Sequence, residues 1–311
     1  MLILGFHNEG ESTYKFLRSL FPGHIIGIAD ERLFEQLSPE SQEILPSDMY
    51  LRLHLGSEYL STLIQYDVII KEPQIDLTQS EIEHVLSVGR MITSHTDIFL
   101  SNCPSIIVGI TGTDSTREPS RLIHNLLVSA NIESYLVGGV FSPSLPLLKQ
   151  ASTNTVFIYE MSAQVLNDLR QGPHIAIVLS PSQDSYDHVE ELNIYIEANQ
   201  NISAYQSWND YFIYDPLDHA SKWMARKTKA KRIPYSSEVQ LDEGCFISNG
   251  QIVYRSKEKQ DLLMGLDEIQ LRGSGKSNLN DLLHPIIVGK ILGIESHLIA
   301  EIINNIVSTN R

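Results

Sequence analysis

Short apolar runs alternate with helical stretches along the first third of the chain. In a parallel α/β sheet, buried strands appear as continuous apolar runs, and the crossover helices between them follow a 3.6-residue period. The pattern predicts strands at residues 2–5, 24–29 and 66–70, and helices at residues 14–20 and 80–88. This rhythm indicates a parallel sheet with crossover helices.

A second unit of the same kind begins near residue 105. An apolar run there enters a turn rich in glycine and threonine, and a helical pattern follows. The predicted strands are 105–109, 155–160 and 174–179, and the predicted helices are 117–130, 279–292 and 297–306. Asn249-Gly250 separates two apolar-rich runs, which is the strongest short-range signal for a hairpin. We therefore predict an α/β chain of two domains, with an antiparallel hairpin in the second.

The composition excludes some classes of function. The 311 residues include 23 Lys and Arg against 38 Asp and Glu, which gives a formal net charge of −15. A surface for nucleic acid or for an anionic membrane is therefore not expected. Cys103 and Cys245 lack neighbours at zinc-ligand spacing, so neither a zinc site nor a disulfide framework is predicted. The chain lacks a signal-peptide pattern and any long apolar run, so we expect a soluble, cytoplasmic protein.

Residues 5–12 (G-F-H-N-E-G-E-S) follow the first predicted strand and open a helix. Free backbone N–H groups and the helix dipole favour a phosphate at such a place, although His7 replaces the middle glycine of a dinucleotide fingerprint. Asp30 ends the second strand, where an acidic side chain contacts a ribose or base in such folds. Together these features favour a nucleotide-type ligand, and a plain strand-to-helix turn is the alternative.

Residues 109–117 lie between a buried strand and a helix, where a phosphate-binding loop belongs. Such a loop needs glycine for close backbone approach, lysine for the β- and γ-phosphates, and a Ser or Thr hydroxyl for Mg²⁺. This chain has Ser115, Thr116 and Arg117 instead. We favour a loop that keeps its shape without binding ATP. In the alternative, Arg117 meets an anion as a weak substitute.

Three carboxylates follow strands of the second domain. Glu160 ends one strand, and Asp184 and Asp187 follow the next. Carboxylates at strand ends face the crevice of an α/β sheet and can bind a hard cation, whereas solvated loop acids are the alternative. Residues 273–277 (G-S-G-K-S) look like the end of a phosphate loop, but the alternating pattern before them indicates a half-exposed strand. We expect no phosphate site there.

Taken in order, these segments resemble the Mur ligases. In the first domain, residues 5–12, 28–32 and 72–75 are similar to G-x-G-x-T-G-x-S, V-x-D-x-R and S-P-G-I of the D-glutamate-adding member. In the second, residues 109–113, 159–162, 184–187 and 274–278 are similar to G-I-T-G-T, L-E-L-S, D-H-L-D and S-G-x-H-N. The ordered set spans essentially the whole chain.

The resemblance implies a fold, a reaction and a set of site residues. The implied fold is a Rossmann-like UDP-sugar-binding domain over residues 1–100 and a P-loop-type central ATPase domain over residues 101–311. The family's third, amino-acid-binding domain would begin about where this chain stops, so we expect the chain to lack it. The family reaction is the ATP-dependent addition of D-glutamate to UDP-N-acetylmuramoyl-L-alanine in peptidoglycan synthesis, so ATP and Mg²⁺ are the implied cofactors. By position, the UDP-sugar would be contacted by Asn8, Glu9, Asp30 and Arg32, and the ATP phosphates by Gly112, Thr113, Asp114, Ser115, Thr116 and Arg117. Glu160 would hold the metal, and Glu160 and Asp187 would be the remnants of the catalytic group.

Several positions depart from the family pattern. The ATP-loop glycine, lysine and metal-linked hydroxyl are replaced by Ser115, Thr116 and Arg117. The histidine of D-H-L-D is Ser185, and the lysine whose carbamate supports the metal is Asn199. Loss of such charge partners and metal supports typically reduces rates by orders of magnitude.

We therefore expect a catalytically degenerate homologue of the D-glutamate-adding ligases that is at most a UDP-sugar binder. Two alternatives remain open. One is an active ATP-dependent ligase whose third domain comes from a protein partner, and the other is a non-catalytic interaction module. The expected small-molecule partner is a UDP-N-acetylmuramoyl-type nucleotide sugar, and neither nucleic acid nor membrane is expected.

Overall fold

The computed structural model describes residues 1–112, 116–179, 189–257, 259–266 and 277–309. The chain divides into two compact units. The first unit comprises Met1–Cys103, Pro143–Gln150 and Asn167–Arg170, and the second comprises Pro104–Ser142, Ala151–Leu166 and Gln171–Arg311. Two short later segments therefore belong to the first unit, which the pattern of apolar positions does not predict.

The first unit is built on a parallel sheet. Its strands are β1 (Leu2–Leu4), β2 (Ile26–Asp30), β3 (Leu51–Leu55), β4 (Val68–Lys71) and β5 (Met91–Ser94), and its α-helices are α1 (Asn8–Leu20), α2 (Pro39–Ile44), α3 (Gln79–Ser87) and α4 (His95–Asn102). The strand order is β3-β2-β1-β4-β5, and each neighbouring pair is parallel. The strand order reverses at β1, which makes the carboxyl end of β1 the place where ligands bind in such sheets.

Both faces of this sheet are buried. Ile3 packs on one face with Leu17 of α1, and Leu2 and Leu4 pack on the other face with Val85 of α3. Successive side chains of a strand point to opposite faces, so a sheet covered on both sides requires the uninterrupted apolar run seen at β1. The predicted parallel sheet is confirmed.

The second unit contains a larger, mixed sheet. The strands after β5 are β6 (Ile106–Thr111), β7 (Ser134–Gly138), β8 (Val156–Glu160), β9 (Ile175–Val178), β10 (Tyr211–Tyr214), β11 (Lys231–Ser236), β12 (Gly244–Ser248), β13 (Gln251–Arg255) and β14 (Gln260–Gly265). The α-helices after α4 are α5 (Arg117–Ser129), α6 (Ala163–Asn167), α7 (Val189–Asn199), α8 (Asn201–Ala204), α9 (His219–Lys227), α10 (Ser277–Ile291) and α11 (Ser296–Thr309). The strand order is β14-β13-β12-β11-β10-β9-β6-β8-β7, parallel from β7 to β12 and antiparallel from β12 to β14.

The predicted hairpin is confirmed at Asn249 and Gly250, which connect β12 and β13. Both have positive φ, 51° and 73°, which is the combination that a type I′ turn requires. Ser248 pairs with Gln251 across the turn. The two-residue loop therefore sets the register of the antiparallel strands.

The core of the second unit lies between the sheet and its helices. Val108 and Ile110 of β6 are fully buried, as are Leu126 of α5, Ile286 of α10 and Ile303 of α11, and they belong to one apolar cluster. The α/β fold class is thus confirmed. None of the helices in the described ranges has the length and apolar character needed to cross a bilayer.

Candidate functional site

Strands β6 and β8 of the second unit end side by side. Ile110 pairs with Glu160, so Thr111 and Glu160 lie at the same carboxyl edge of the sheet. Ligand sites of open α/β sheets form at this edge. Both side chains are nevertheless buried, with 1% exposure for Thr111 and 6% for Glu160.

A hydroxyl group from the start of α5 engages the Glu160 carboxylate. Thr116 Oγ1 donates a hydrogen bond to Glu160 Oε1 at 3.0 Å. Ser120 Oγ lies 3.5 Å from the same oxygen, but its one proton is donated to the Thr116 carbonyl at 2.7 Å, so it adds little. Thr116 stands where the resemblance expects the ATP-loop lysine. A neutral hydroxyl therefore replaces an ammonium and is bound to the protein's own carboxylate.

A glycine turn approaches the other Glu160 oxygen. Gly138 ends β7 and Gly139 follows it, with φ of +77° and +52°, a conformation that favours glycine. A Cβ added to Gly139 would overlap Glu160 Oε2. The carboxylate is thus enclosed by Thr116 on one side and by bare backbone on the other.

Asn199, the last residue of α7, closes the neighbouring part of this edge. Its Oδ1 accepts a hydrogen bond from Thr111 Oγ1 at 2.7 Å, and its Nδ2 donates to the Tyr195 carbonyl at 3.0 Å. The side chain is 5% exposed. Asn199 stands where the resemblance expects the metal-supporting lysine. A neutral amide, with both polar atoms engaged inside the protein, therefore takes the place of a carbamate.

The structure describes only part of the predicted ATP site. Thr113, Asp114, Ser115 and Asp187 lie outside the described residues, as do Asp184, Ser185 and residues 273–276. Gly112 follows β6 directly, and Arg117 is the exposed first residue of α5. Within the described ranges, no group of three or more His, Cys, Asp or Glu side chains is arranged to hold a metal ion.

In the first unit, three segments meet at the carboxyl edge of the sheet. Gly5 follows β1, Asp30 ends β2 and Glu72 follows β4. Because β1 pairs with both β2 and β4, these residues lie side by side at the reversal of strand order. This edge is the second candidate ligand position of the chain.

The Asp30 carboxylate is fully engaged by the protein. Its Oδ2 accepts hydrogen bonds from the Phe6 N–H at 2.7 Å and from Arg32 Nη2 at 2.9 Å, and its Oδ1 accepts from the Arg32 N–H and Nε at 2.9 and 2.8 Å. Burial alone would raise the pKa of Asp30, but the hydrogen bonds from Arg32 and Phe6 hold that pKa below its ordinary value. The predicted pair Asp30 and Arg32 therefore fixes the loops after β1 and β2.

Glu72 lies in the segment similar to S-P-G-I but is not among the site residues predicted from the sequence. Its Oε1 accepts hydrogen bonds from the backbone N–H groups of Gly10 at 2.7 Å and His7 at 3.0 Å, and its Oε2 lies 2.9 Å from His7 Nδ1. The side chain is 3% exposed. A signal was available in the sequence, because Glu72 replaces the serine of the similar segment S-P-G-I.

The two remaining predicted UDP-sugar residues form the first turn of α1. Asn8 is exposed. Glu9 is half-buried, and its Oε2 has no hydrogen-bond partner within the described part of the chain. Burial, followed by the charges of Glu72 and Asp168, raises the pKa of Glu9 to about 7. The first unit therefore presents an acidic environment at the start of α1.

Comparison with known proteins gives a consistent set of relatives. The UDP-N-acetylmuramoylalanine--D-glutamate ligase of Clostridium novyi is 24% identical over 247 residues, which covers 79% of this chain and 53% of that protein. The corresponding ligase of Listeria innocua is 25% identical over 298 residues, which covers 94% of this chain and 63% of that protein. No family model matches the chain.

Solved structures of Mur ligases share the fold. A murein peptide ligase from Psychrobacter arcticus matches with a TM-score of 0.57 at 16% identity, covering 97% of this chain and 67% of that chain. A UDP-N-acetylmuramate:L-alanyl-gamma-D-glutamyl-meso-diaminopimelate ligase from Neisseria meningitides matches with the same score at 13% identity, covering 97% of this chain and 96% of that chain.

The fold and these relatives confirm the resemblance to the Mur ligases. The resemblance is MurD-like, because the two curated relatives named above are D-glutamate-adding ligases. The chain spans 53% and 63% of the lengths of the two relatives named above.

Proposed function

We propose that this MurD-like chain belongs to the peptidoglycan-precursor setting but does not carry out ATP-dependent ligation. Its remaining capacity for a ligand, at most a UDP-sugar, lies in the first unit. The hydrogen bond from Thr116 to Glu160 is the observation that carries this proposal. Thr116 stands in the place of the ATP-loop lysine, and Glu160 stands in the place of the metal-binding glutamate. This hydrogen bond joins the two side chains.

Electrostatics supports the loss of ATP binding. A triphosphate carries several negative charges and requires nearby cations to offset the removal of water. In the described part of the site, Glu160 is a buried carboxylate and Thr116 is neutral. Arg117 contributes a cation, but its side chain is exposed at the first turn of α5, where solvent screens its charge.

The described side chains also do not suit a magnesium site of the kind that the resemblance implies. Mg²⁺ requires near-octahedral oxygen coordination, usually with carboxylates. Glu160 is enclosed by Thr116 and the Gly139 turn, and the hydroxyl of Thr111 is turned to Asn199. Metal-assisted ligation is therefore not part of the proposed function.

A product assay tests the proposal. The chain is incubated with ATP, Mg²⁺, UDP-N-acetylmuramoyl-L-alanine and D-glutamate, and the ligated product is measured by mass spectrometry. The ligase of Listeria innocua serves as the positive control, and a mixture without protein gives the background. We expect product at background level, whereas ATP-dependent product above background would refute the proposal.

A further inference from the structure

Three residues that depart from the family pattern meet at one place in the first unit. His7 replaces the middle glycine and Glu9 the threonine of G-x-G-x-T-G-x-S, and Glu72 replaces the serine of S-P-G-I. His7 contacts Glu72 through both its backbone N–H and its ring. The charge of Glu72 in turn acts on Glu9. The departures therefore form one structural feature.

This feature is a carboxylate bound at the N-terminus of α1. The first N–H groups of a helix lack partners within the helix and, together with the helix dipole, attract an anion. Glu72 Oε1 accepts from two of these groups, on Gly10 and His7. An oxygen of a bound phosphate would make the same contacts. Glu72 thus supplies from within the protein the anion that this helix favours.

The space around the carboxylate is filled. A Cβ added to Gly10 would overlap the Gly5 carbonyl and lie 3.1 Å from Glu72 Oε1. A Cβ added to Gly5 would lie 2.6 Å from Glu72 Oε2. With Glu72 only 3% exposed, a second anion has no room at the same N–H groups.

The cations near Glu72 are committed to other partners. Lys71 Nζ donates to the carbonyls of Glu72 and Ile75 at 3.1 and 2.9 Å and lies 2.9 Å from Asp168 Oδ2. Arg32 is bound to Asp30 through its guanidinium. A phosphate that arrived here would meet Glu72 and Glu9 without a free cation among the described residues.

We propose that Glu72 determines the ligand specificity of the first unit by occupying the phosphate position at the N-terminus of α1, so that a nucleotide diphosphate is excluded there. The inference deepens the proposed function and rests on it in one respect, that the ligand of the first unit is of a nucleotide type. A UDP-sugar could therefore bind the first unit only with its diphosphate away from these two N–H groups. Glu72 acts in the first unit, so its test is independent of ATP binding and ligation in the second.

The test compares binding of UDP and uridine by titration calorimetry. Glu72→Ser restores the serine of the similar segment and removes the carboxylate, and Glu72→Gln removes the charge while keeping the shape. Glu40→Gln is the matched control, because it removes one charge from an exposed carboxylate of the same unit. We expect UDP to bind Glu72→Ser about 10- to 100-fold more tightly than the wild type and Glu40→Gln. Uridine affinity should be the same in all four proteins.

Two results would overturn the inference. One is equal UDP affinity in the wild type and Glu72→Ser. The other is an equal gain for uridine, which would show that volume, rather than the anion position, limits binding.

A second experiment uses only the wild type, so it tests the inference even if the variants fold poorly. Inorganic phosphate is titrated while the backbone amide resonances of His7 and Gly10 are followed by NMR. We expect no saturable shift in the wild type, because Glu72 occupies both N–H groups. A saturable shift of the Gly10 resonance in the wild type would refute the inference directly.

Discussion

The hydroxyl of Thr116 donates a hydrogen bond to Glu160 across 44 positions of the sequence, with 3.0 Å between Thr116 Oγ1 and Glu160 Oε1. A lysine in the place of Thr116 would direct its charge to a nucleotide. A threonine is too short and too weakly polar for that role, and it binds the nearest buried acceptor. The polar groups that remain at this edge of the sheet are therefore engaged with one another.

Removal of this hydrogen bond should destabilise the second unit. Thr116→Val keeps the shape of the side chain but leaves the buried Glu160 oxygen without its short hydrogen bond, which should cost about 1–3 kcal/mol. Thr116→Ser retains the hydroxyl and should retain most of the stability. Urea denaturation followed by tryptophan fluorescence is suitable, because Trp208 and Trp223 both belong to the second unit. Equal midpoints for the Val and Ser variants would contradict a stabilising role of the contact.

Repair of the ATP loop should restore nucleotide binding before ligation. The combination of Ser115→Gly, Thr116→Lys and Arg117→Ser supplies a glycine, an ammonium and a metal-linked hydroxyl at the strand-to-helix junction. Asn199 and Ser185 still leave a metal poorly supported, so no ligated product is expected. Arg117→Ser alone is the control, because it introduces the hydroxyl without the ammonium. If the triple variant binds ATP no better than this control in calorimetry, the loop is not the limiting defect.

The raised pKa of Glu9 makes a pH-dependent stability of the first unit testable. Because this pKa is about 7 in the folded protein, above its ordinary value of 4.5, the folded state holds the proton more tightly. Stability of the first unit should therefore fall as the pH rises from about 4.5 to about 7 and change little above that range. Glu9→Gln removes this dependence. The free energy of unfolding of the first unit in Glu9→Gln, relative to the wild type, should therefore increase by about 2–3 kcal/mol between pH 5 and pH 8.

Amide hydrogen exchange of β1 and β2, corrected for intrinsic rates, measures this difference in the first unit itself. Glu35→Gln, at an exposed position of the same unit, serves as the control and should follow the wild type. An advantage of Glu9→Gln that is the same at both pH values would show that Glu9 titrates normally.

A buried histidine should be replaceable with a gain in stability. His284 of α10 is 1% exposed, and neither ring nitrogen has a hydrogen-bond partner within the described ranges. Its ring meets that of Tyr235 edge-on, with centroids 4.5 Å apart. His284→Leu keeps a similar volume and removes an unsatisfied N–H, so the second unit should gain about 1–3 kcal/mol at pH 7.5.

The gain in stability from His284→Leu should be larger at acidic pH. Burial lowers the pKa of His284 to about 3, from an ordinary value of 6.5. Below about pH 6.5, His284 is protonated in the unfolded wild type but stays neutral in the folded protein. Wild-type stability therefore falls as the pH drops below about 6.5. Urea midpoints at pH 7.5 and 5.5 measure the effect, with His219→Gln at an exposed position as the control. A lower midpoint for His284→Leu would show that the ring has a stabilising partner.

The sequence predicts the buried apolar strands and misses short strands with weaker signals. β1, β6, β8 and β9 are buried apolar runs and are found as predicted. β3 is an edge strand with exposed Arg52 and Leu53, and its five residues alternate apolar and polar side chains, which is a shorter and weaker signal than a buried apolar run. Its strand state depends on pairing with β2, which is tertiary information.

For the candidate sites, the sequence predicts the positions of some residues but not their partners. Periodicity places Asp30 and Glu160 at strand ends, and both lie there, whereas their roles toward a ligand stay predictions. The partners of the site residues could not be predicted, because His7 and Glu72 are 65 positions apart and Thr111 and Asn199 are 88 apart. Contacts at such separations follow from the order of strands in a sheet, which local patterns do not specify.

Loss of ATP binding by the second unit is measured with ATP and Mg²⁺ on the wild-type chain, because this experiment depends on the second unit alone and requires no acceptor substrate. Titration calorimetry on the wild type, alongside the triple loop variant, measures the affinity. We expect no saturable binding by the wild type at nucleotide concentrations up to about 1 mM, which corresponds to less than about 4 kcal/mol of binding free energy. One-to-one binding by the wild type with a micromolar Kd would contradict this expectation.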